Sequence, residues 1–359
     1  MRTDELDYDL PAGSIAQVPI EPRDAARLLI DCGPGAAPEH RHIADLVDLL
    51  DAGDLLVLNT TRVLPARVPI VRPTGGSGEV LLLDEQNDGW WEVLCRPARK
   101  LRNGDVVHAV RGGLRFVVGD DVGDGRKLVR PDFDEPTLLD ALEVAGEMPL
   151  PPYIGERLDD AERYQTVFSD RPASAAAPTA GLHLTERVLT ALGERGVGTA
   201  QVELVVGLDT FRPLSTDTVE DHQIHTERYS VPDAAWDAVT RTRADGGRVV
   251  AVGTTSVRAL ESRAARGESS GRTDLFITPG FEFQVVDQMI TNFHMPRTSL
   301  LALVQAFVGP HWRDLYATAL DAGYRFLSFG DAMLLSRSDL RRRVGDDSGG
   351  HDTLDRGAP

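Results

Sequence analysis

The run Asp54-Leu55-Leu56-Val57-Leu58-Asn59 is apolar at every interior position, a pattern that suits a strand covered on both faces. Such a strand belongs inside a sheet with helices on its two sides, and the chain after about residue 180 has the texture to supply them. A helix is expected over 186–195, with Thr185 placed to cap its start and Gly196 to stop it. A strand at 200–206, a helix at 233–244 and a strand at 248–253 follow, the last running into a turn and a helix at Thr255. Beyond these come a strand near 285–290, helices at 298–307 and 312–322, and a last strand at 324–329. Strands followed by helices imply an α/β domain with a largely parallel sheet.

Residues 66–150 read differently. Short β-like runs at 79–84, 90–96, 105–110, 114–118 and 127–130 are separated by Asp88-Gly89, Asn103-Gly104, Gly112-Gly113 and Asp124-Gly125. Short strands at that spacing suggest a small β-barrel or sandwich, closed by a helix at 137–145. The expected architecture is a large, barrel-like α/β domain (1–65 and 151–337) into which a small β-barrel domain (66–150) is inserted. Residues 338–359, with Asp346-Asp347-Ser348-Gly349-Gly350, read as a disordered tail.

The formal net charge of −18 opposes nonspecific binding to polyanions, so a nucleic-acid enzyme would have to gather its positive charge locally. The densest stretch holds Arg96, Arg99, Lys100 and Arg102, candidates for phosphate contacts, although a solvated charge run is the plainer account. The cysteines, Cys32 and Cys95, lie far apart, which argues against a disulfide scaffold or a cysteine zinc site; both read as small buried hydrophobes. His222 and His225 have zinc-like proximity but no third ligand in view, so no metal is expected. Apolar stretches such as 300–308 are too short to span a bilayer, and residues 1–9 are acidic with no apolar signal core. A cytoplasmic protein is expected, with no membrane association, and a monomer.

Four clusters stand out. They are Glu147-Met148-Pro149-Leu150-Pro151-Pro152-Tyr153-Ile154 with Arg163-Tyr164-Gln165-Thr166; Ala177-Pro178-Thr179-Ala180-Gly181-Leu182-His183; Val252-Gly253-Thr254-Thr255-Ser256-Val257-Arg258; and Thr291-Asn292-Phe293-His294-Met295-Pro296 with Phe329-Gly330-Asp331-Ala332-Met333. Together with Asp7-Tyr8-Asp9-Leu10-Pro11, Pro22-Arg23-Asp24 and Thr61-Arg62-Val63-Leu64-Pro65-Ala66-Arg67, their order and spacing resemble the S-adenosylmethionine:tRNA ribosyltransferase-isomerase family of queuosine synthesis, over about residues 5–335. The resemblance implies an α/β domain with an inserted barrel. It also implies transfer of the ribosyl unit of S-adenosylmethionine, a co-substrate with no further cofactor, to 7-aminomethyl-7-deazaguanine at a tRNA wobble position. Two other readings stand beside it: a divergent relative that uses S-adenosylmethionine on another acceptor, and an RNA-binding protein without catalysis.

In that chemistry the sulfonium acidifies the ribose C5′ hydrogen, and adenine needs a proton or strong hydrogen bonds to depart. His183, in a turn before a helix, is the first candidate for acid–base work; a structural histidine is the equal alternative. His294 and Asp331 are further catalytic candidates, with Asp331 otherwise an N-cap or turn aspartate. The start of a helix at Gly253, Thr254 and Thr255 offers backbone N–H groups to an anion such as the methionine carboxylate, with Arg258 adding a fork-like contact and Thr179 beside them. Asn59, Arg62 and Arg67 follow a buried strand and are candidates for substrate or phosphate binding; for the two arginines an interdomain salt bridge is as good a reading. The likeness departs where the family reads Leu-His-Val-Gly-x-Gly-Thr-Phe: a histidine is replaced by Val205 and a glycine by Asp209. Milder departures are Leu184 for phenylalanine and Ile70 for glycine.

Overall fold

The computed structural model describes residues 1–207 and 213–338, so Asp209 and the tail from 339 lie outside the described residues. In chain order the strands are β1 (Arg27–Ile30), β2 (Glu39–His42), β3 (Leu55–Asn59), β4 (Arg62–Val63), β5 (Arg67–Val71), β6 (Ser77–Glu85), β7 (Trp91–Arg96), β8 (Val106–Ala109), β9 (Arg115–Gly123) and β10 (Arg126–Asp132). They continue as β11 (Pro172–Ser174), β12 (Gly198–Leu204), β13 (Glu227–Ser230), β14 (Val249–Val252), β15 (Ser270–Thr273), β16 (Gln288–Asn292) and β17 (Ala332–Ser336). The helices are α1 (Leu46–Leu49), α2 (Leu138–Ala145), α3 (Glu186–Glu194), α4 (Asp233–Ala244), α5 (Gly253–Arg266), α6 (Ser299–Val308) and α7 (Trp312–Asp321).

β3 is buried along its whole length, as its composition demands. Its side chains alternate between two cores: Leu55 and Val57 join the cluster that includes α6 and α7, while Leu56 and Leu58 join the one packed under α1 and α3. β14 divides the same way, Val249 and Ala251 to one side, Val250 and Val252 to the other. Both strands sit at the centre of a nine-stranded sheet of order β15-β13-β12-β3-β14-β16-β17-β1-β2. The pairs β12–β3, β3–β14, β14–β16 and β17–β1 are parallel, whereas β15–β13, β13–β12, β16–β17 and β1–β2 are antiparallel. The sheet is therefore mixed rather than largely parallel, and it runs between edges instead of closing into a barrel. The turn from β16 to β17 has a simple cause. One crossover helix returns a chain for a parallel strand, and the α6–α7 pair adds one more reversal.

The expected last strand at 324–329 is replaced by β17, farther on. Residues 324–329 pair only at the isolated bridge between Phe326 and Ile15, and the backbone turns at Leu327, whose φ is 69°. The apolar pattern there serves core packing: Phe326 stacks on Phe293 at 4.6 Å, and Tyr324 meets the same ring edge-on at 5.7 Å.

The β-rich segment is a closed six-stranded barrel of order β10-β7-β6-β5-β8-β9 with its own core, in which Val68, Ile70, Val80, Val107, Phe116 and Val129 are fully buried. β5 escaped the sequence reading because Pro69 interrupts it, and proline ordinarily argues against a strand interior. Chain leaves and returns to the large domain at one place, where Arg67 and Glu147 exchange backbone hydrogen bonds of 3.2 and 2.8 Å. Ion pairs from Asp84 to Arg228 (2.8 Å) and Arg272 (2.9 Å) tie the barrel to the outer strands of the sheet. Cys95 is buried in the barrel as expected, whereas Cys32 is exposed. Among the described residues no helix is long and apolar enough to cross a membrane.

Candidate active site

Ligands commonly bind beyond the carboxyl ends of parallel strands. At those ends of β12, β14 and β16, with segment 177–180, the chain lines a pocket of about 40 Å³ containing Tyr153, Thr179, Val206, Gly253, Thr254, Thr255, Thr291, Asn292, His294 and Ser328. Leu300 is shared with a neighbouring cleft of about 130 Å³. There Asp84, Glu92 and Arg126 of the barrel face Val205, His222, His225, Glu227, Arg258 and Phe276 of the large domain.

α5 opens into the smaller pocket. Gly253 starts it at φ 85°, a conformation that favours glycine, and the N-cap Val252 makes no side-chain cap. The first-turn amides therefore have no side-chain acceptor and present the positive end of the helix dipole. The Thr255 hydroxyl is buried there without a hydrogen-bond partner. Arg258 lies one turn on, but it is not the free fork the sequence suggested. Its guanidinium is buried against the Glu227 carboxylate and also donates to the Leu275 carbonyl at 3.2 Å, while Nη2 has no partner. The Glu227 carboxylate also accepts from the Gly207 amide at 3.2 Å.

His294 lines the pocket with its Nε2 3.0 Å from Thr291 Oγ1. Its backbone is braced on both sides: Tyr8 Oη donates to its carbonyl at 2.5 Å, and its N–H donates to Tyr316 Oη at 3.0 Å. This gives the Asp7-Tyr8-Asp9 segment a physical role. His183 stands one layer back, with Nε2 3.0 Å from Asn292 Nδ2, and it does not line the pocket. Burial lowers both imidazoles, His183 to about 4, with Arg325, Arg23 and Arg163 adding repulsion, and His294 to about 3. Both are neutral near pH 7 and serve as hydrogen-bonding groups rather than as cationic acids.

The other sequence candidates lie apart from the pocket. Asp331 is buried and committed: Oδ1 accepts from the Arg27 amide and Oδ2 from the Arg325 amide, each at 2.8 Å. Gly330 makes this possible, since a Cβ there would fall 2.4 Å from the Arg325 carbonyl oxygen. Asn59 staples β3 to β12, donating to the Leu204 carbonyl and accepting from the Leu204 and Thr61 amides. Arg62 pairs with Glu162 and donates to Ser169, and Arg67 pairs with Glu79 across β5 and β6. The interdomain salt bridge imagined for them is made instead by Asp84, Arg228 and Arg272. On the barrel, Arg96, Arg99, Lys100 and Arg102 are exposed. Among the described residues no group of three or more His, Cys, Asp or Glu side chains is placed to hold a metal ion.

Sequence reasoning quoted Asn292 within a motif but gave it no role, and it missed Glu227 altogether. Asn292 had a usable signal, a polar side chain closing a strand that is buried over its last four residues. Glu227 had none, because a single glutamate on an outer strand looks like any surface acid.

The chain is 48% identical over 341 residues to the S-adenosylmethionine:tRNA ribosyltransferase-isomerase of Moorella thermoacetica, covering 93% of this chain and 100% of that one. It is 50% identical over 336 residues to the enzyme of the same name from Rubrobacter xylanophilus, covering 93% and 98%. The crystal structure of S-adenosylmethionine tRNA ribosyltransferase from Thermotoga maritima is 36% identical, with a TM-score of 0.53 over 92% of this chain and 99% of that one. The family described as queuosine biosynthesis protein matches residues 3–335. The chain belongs to this family.

As a queuosine biosynthesis protein the chain is an enzyme of the transferase/isomerase kind. The motifs that mark the family here divide into two groups. Thr179, Gly253–Thr255 and Asn292–His294 form the pocket wall, whereas Asp24, Gln165, Gly330 and Asp331 hold the wall in place. Asp24 accepts from Thr185 Oγ1 and Arg187, and the Gln165 amide pairs with both backbone groups of Val63 at 2.9 Å. Val205, the departure from the family pattern, lines the larger cleft and is buried.

The two lowered histidines carry a pH consequence. Their folded values lie below the ordinary 6.5, so between about pH 6.5 and 4 the unfolded chain holds protons that the native one lacks. Their contribution is fully present above that window and is lost as pH falls, at roughly 1.4 kcal/mol per pH unit for each histidine. Urea unfolding between pH 6 and 4.5 should show a steep decline, and His183→Gln with His294→Gln should flatten it by about two protons. An unchanged slope in the double variant would assign the decline to other groups.

Proposed function

We propose that this enzyme transfers and isomerises the ribosyl unit of S-adenosylmethionine onto the aminomethyl group of 7-aminomethyl-7-deazaguanine at a tRNA wobble position, giving epoxyqueuosine-tRNA, adenine and methionine. The observation that carries the reading is the convergence of Thr179, the start of α5 and the Asn292–His294 turn on one pocket beside the barrel cleft. In this reading the α5 amides and Thr255 receive the methionine carboxylate, as oriented backbone donors favour anions. The proton lost from ribose C5′ is matched by the one adenine takes up, and the attacking amine releases one more. With His294 in the pocket and His183 behind it both neutral, rate enhancement comes mainly from positioning and fixed dipoles.

The barrel supplies the RNA contacts in this reading, through Arg96, Arg99, Lys100 and Arg102. Lys100→Ala with Arg102→Ala is expected to lower the slope of log affinity against log salt by about 1–2. An unaltered slope in a filter-binding titration would move the RNA to another surface. Val205 in the cleft wall favours a second reading, in which S-adenosylmethionine serves another acceptor. Mass spectrometry of suitably modified tRNA incubated with the protein and S-adenosylmethionine separates the two. Epoxyqueuosine supports the first reading, adenine release without a tRNA product supports the second, and tRNA binding with neither marks a binding protein.

A further inference from the structure

The hydrogen bonds around Asn292 fix a direction that reaches the pocket surface. Asn292 Nδ2 lies 3.3 Å from the backbone carbonyl of Asp331, which can only accept. The amide nitrogen therefore faces that carbonyl, and a flipped amide would set two acceptors against each other. The second Nδ2 hydrogen then points to His183 Nε2 at 3.0 Å, which must accept it. Burial that keeps His183 neutral agrees with that role. Asn292 Oδ1 is left facing Thr179 Oγ1 at 2.8 Å, and Thr179 spends its single hydroxyl hydrogen there. What Thr179 offers the pocket is consequently lone pairs alone.

We propose that Thr179 is a specificity-determining acceptor for an O–H or N–H donor on the substrate nucleoside, with Asn292 and His183 as the positioning residues that impose this polarity. The inference rests on the proposed use of S-adenosylmethionine and adds which kind of ligand group the wall selects. The donor is a ribose hydroxyl or the adenine amine, both of which would complete the chain of hydrogen bonds. A ligand atom that can only accept is disfavoured at this position, because it would face a second acceptor in a partly buried setting.

Calorimetric titration of S-adenosylmethionine tests this. Thr179→Val keeps the shape and removes the acceptor, and is expected to weaken binding about tenfold or more; Thr179→Ser keeps the acceptor and should stay within about threefold. Analogues lacking the 2′-hydroxyl, the 3′-hydroxyl or the adenine amine identify the donor: the analogue without it should bind the wild type and Thr179→Val equally. For the positioning role, His183→Leu should raise the KM for S-adenosylmethionine more than it lowers kcat, and His183→Gln, which still accepts from Asn292, should restore it. Thermal melts of each variant report on folding separately. If Thr179→Val binds S-adenosylmethionine as the wild type does, this inference fails while the proposed function stands. Wild type that does not bind S-adenosylmethionine at all removes both.

Discussion

Glu227→Ala is expected to lower the unfolding free energy by about 3–5 kcal/mol, the usual cost of leaving one member of a buried ion pair alone. The pair is unusually enclosed: the side chains of Arg258 and Glu227 are 7% and 6% exposed. Without the carboxylate, the Arg258 guanidinium keeps only the Leu275 carbonyl, and the Gly207 amide loses its acceptor as well. Replacing both residues by methionine removes the stranded charge and should recover most of the loss, since buried pairs are often no better for stability than apolar side chains of similar size. Urea unfolding of the two variants decides the matter. A loss below about 1 kcal/mol for Glu227→Ala would mean that water or a neighbouring acid reaches Arg258 and that the cleft is wetter than its burial suggests.

Asp331→Ala carries the next largest effect, a loss of about 2–4 kcal/mol, because two backbone amides lose charge-assisted hydrogen bonds at once. Asp331→Asn should fall between the two, since one carboxamide oxygen can still accept from one amide. The more telling expectation is kinetic. If Asp331 holds the 325–331 turn and does no chemistry, folded Asp331→Asn keeps kcat within about threefold at a temperature well below its melting point. A drop of a thousandfold with the fold intact would restore Asp331 as a catalytic group and contradict the hydrogen bonds that occupy both its oxygens.

The sequence made the central strands legible because their side chains must satisfy two cores at once, and composition alone records that demand at β3 and β14. Helix boundaries were legible where a cap is chemical: Thr185 accepts from the Val188 amide, as its position suggested, and Thr298, read as the first helical residue, caps α6 by accepting from the Leu301 amide. The antiparallel flanks were not legible. β2 is Glu-His-Arg-His with every residue exposed, and its place comes from pairing with β1, which no local pattern encodes. The site shows the same division. Residue types anticipated the helix start at Gly253–Thr255, where α5 opens directly after β14, because a helix start after a buried strand is a local event. Which of His183, Asp331 and Asn59 would reach the pocket depended on whether groups distant in the chain had already claimed them. Asn59 is claimed by Leu204, far along the chain, and Asp331 by Arg27 and Arg325.

The backbone bridge between Arg67 and Glu147 has a consequence for assembly. β3 must find β12 across a long stretch of chain, most of which is the barrel. Because the barrel's two ends are stitched together, once folded it acts as a knot tied in a rope and shortens the slack that remains. Loop entropy rises only slowly with length, about 0.6 kcal/mol per doubling, so the gain is modest in stability. Its larger meaning is modularity: a module whose ends already touch can be exchanged for a shorter or longer one without moving the strands on either side.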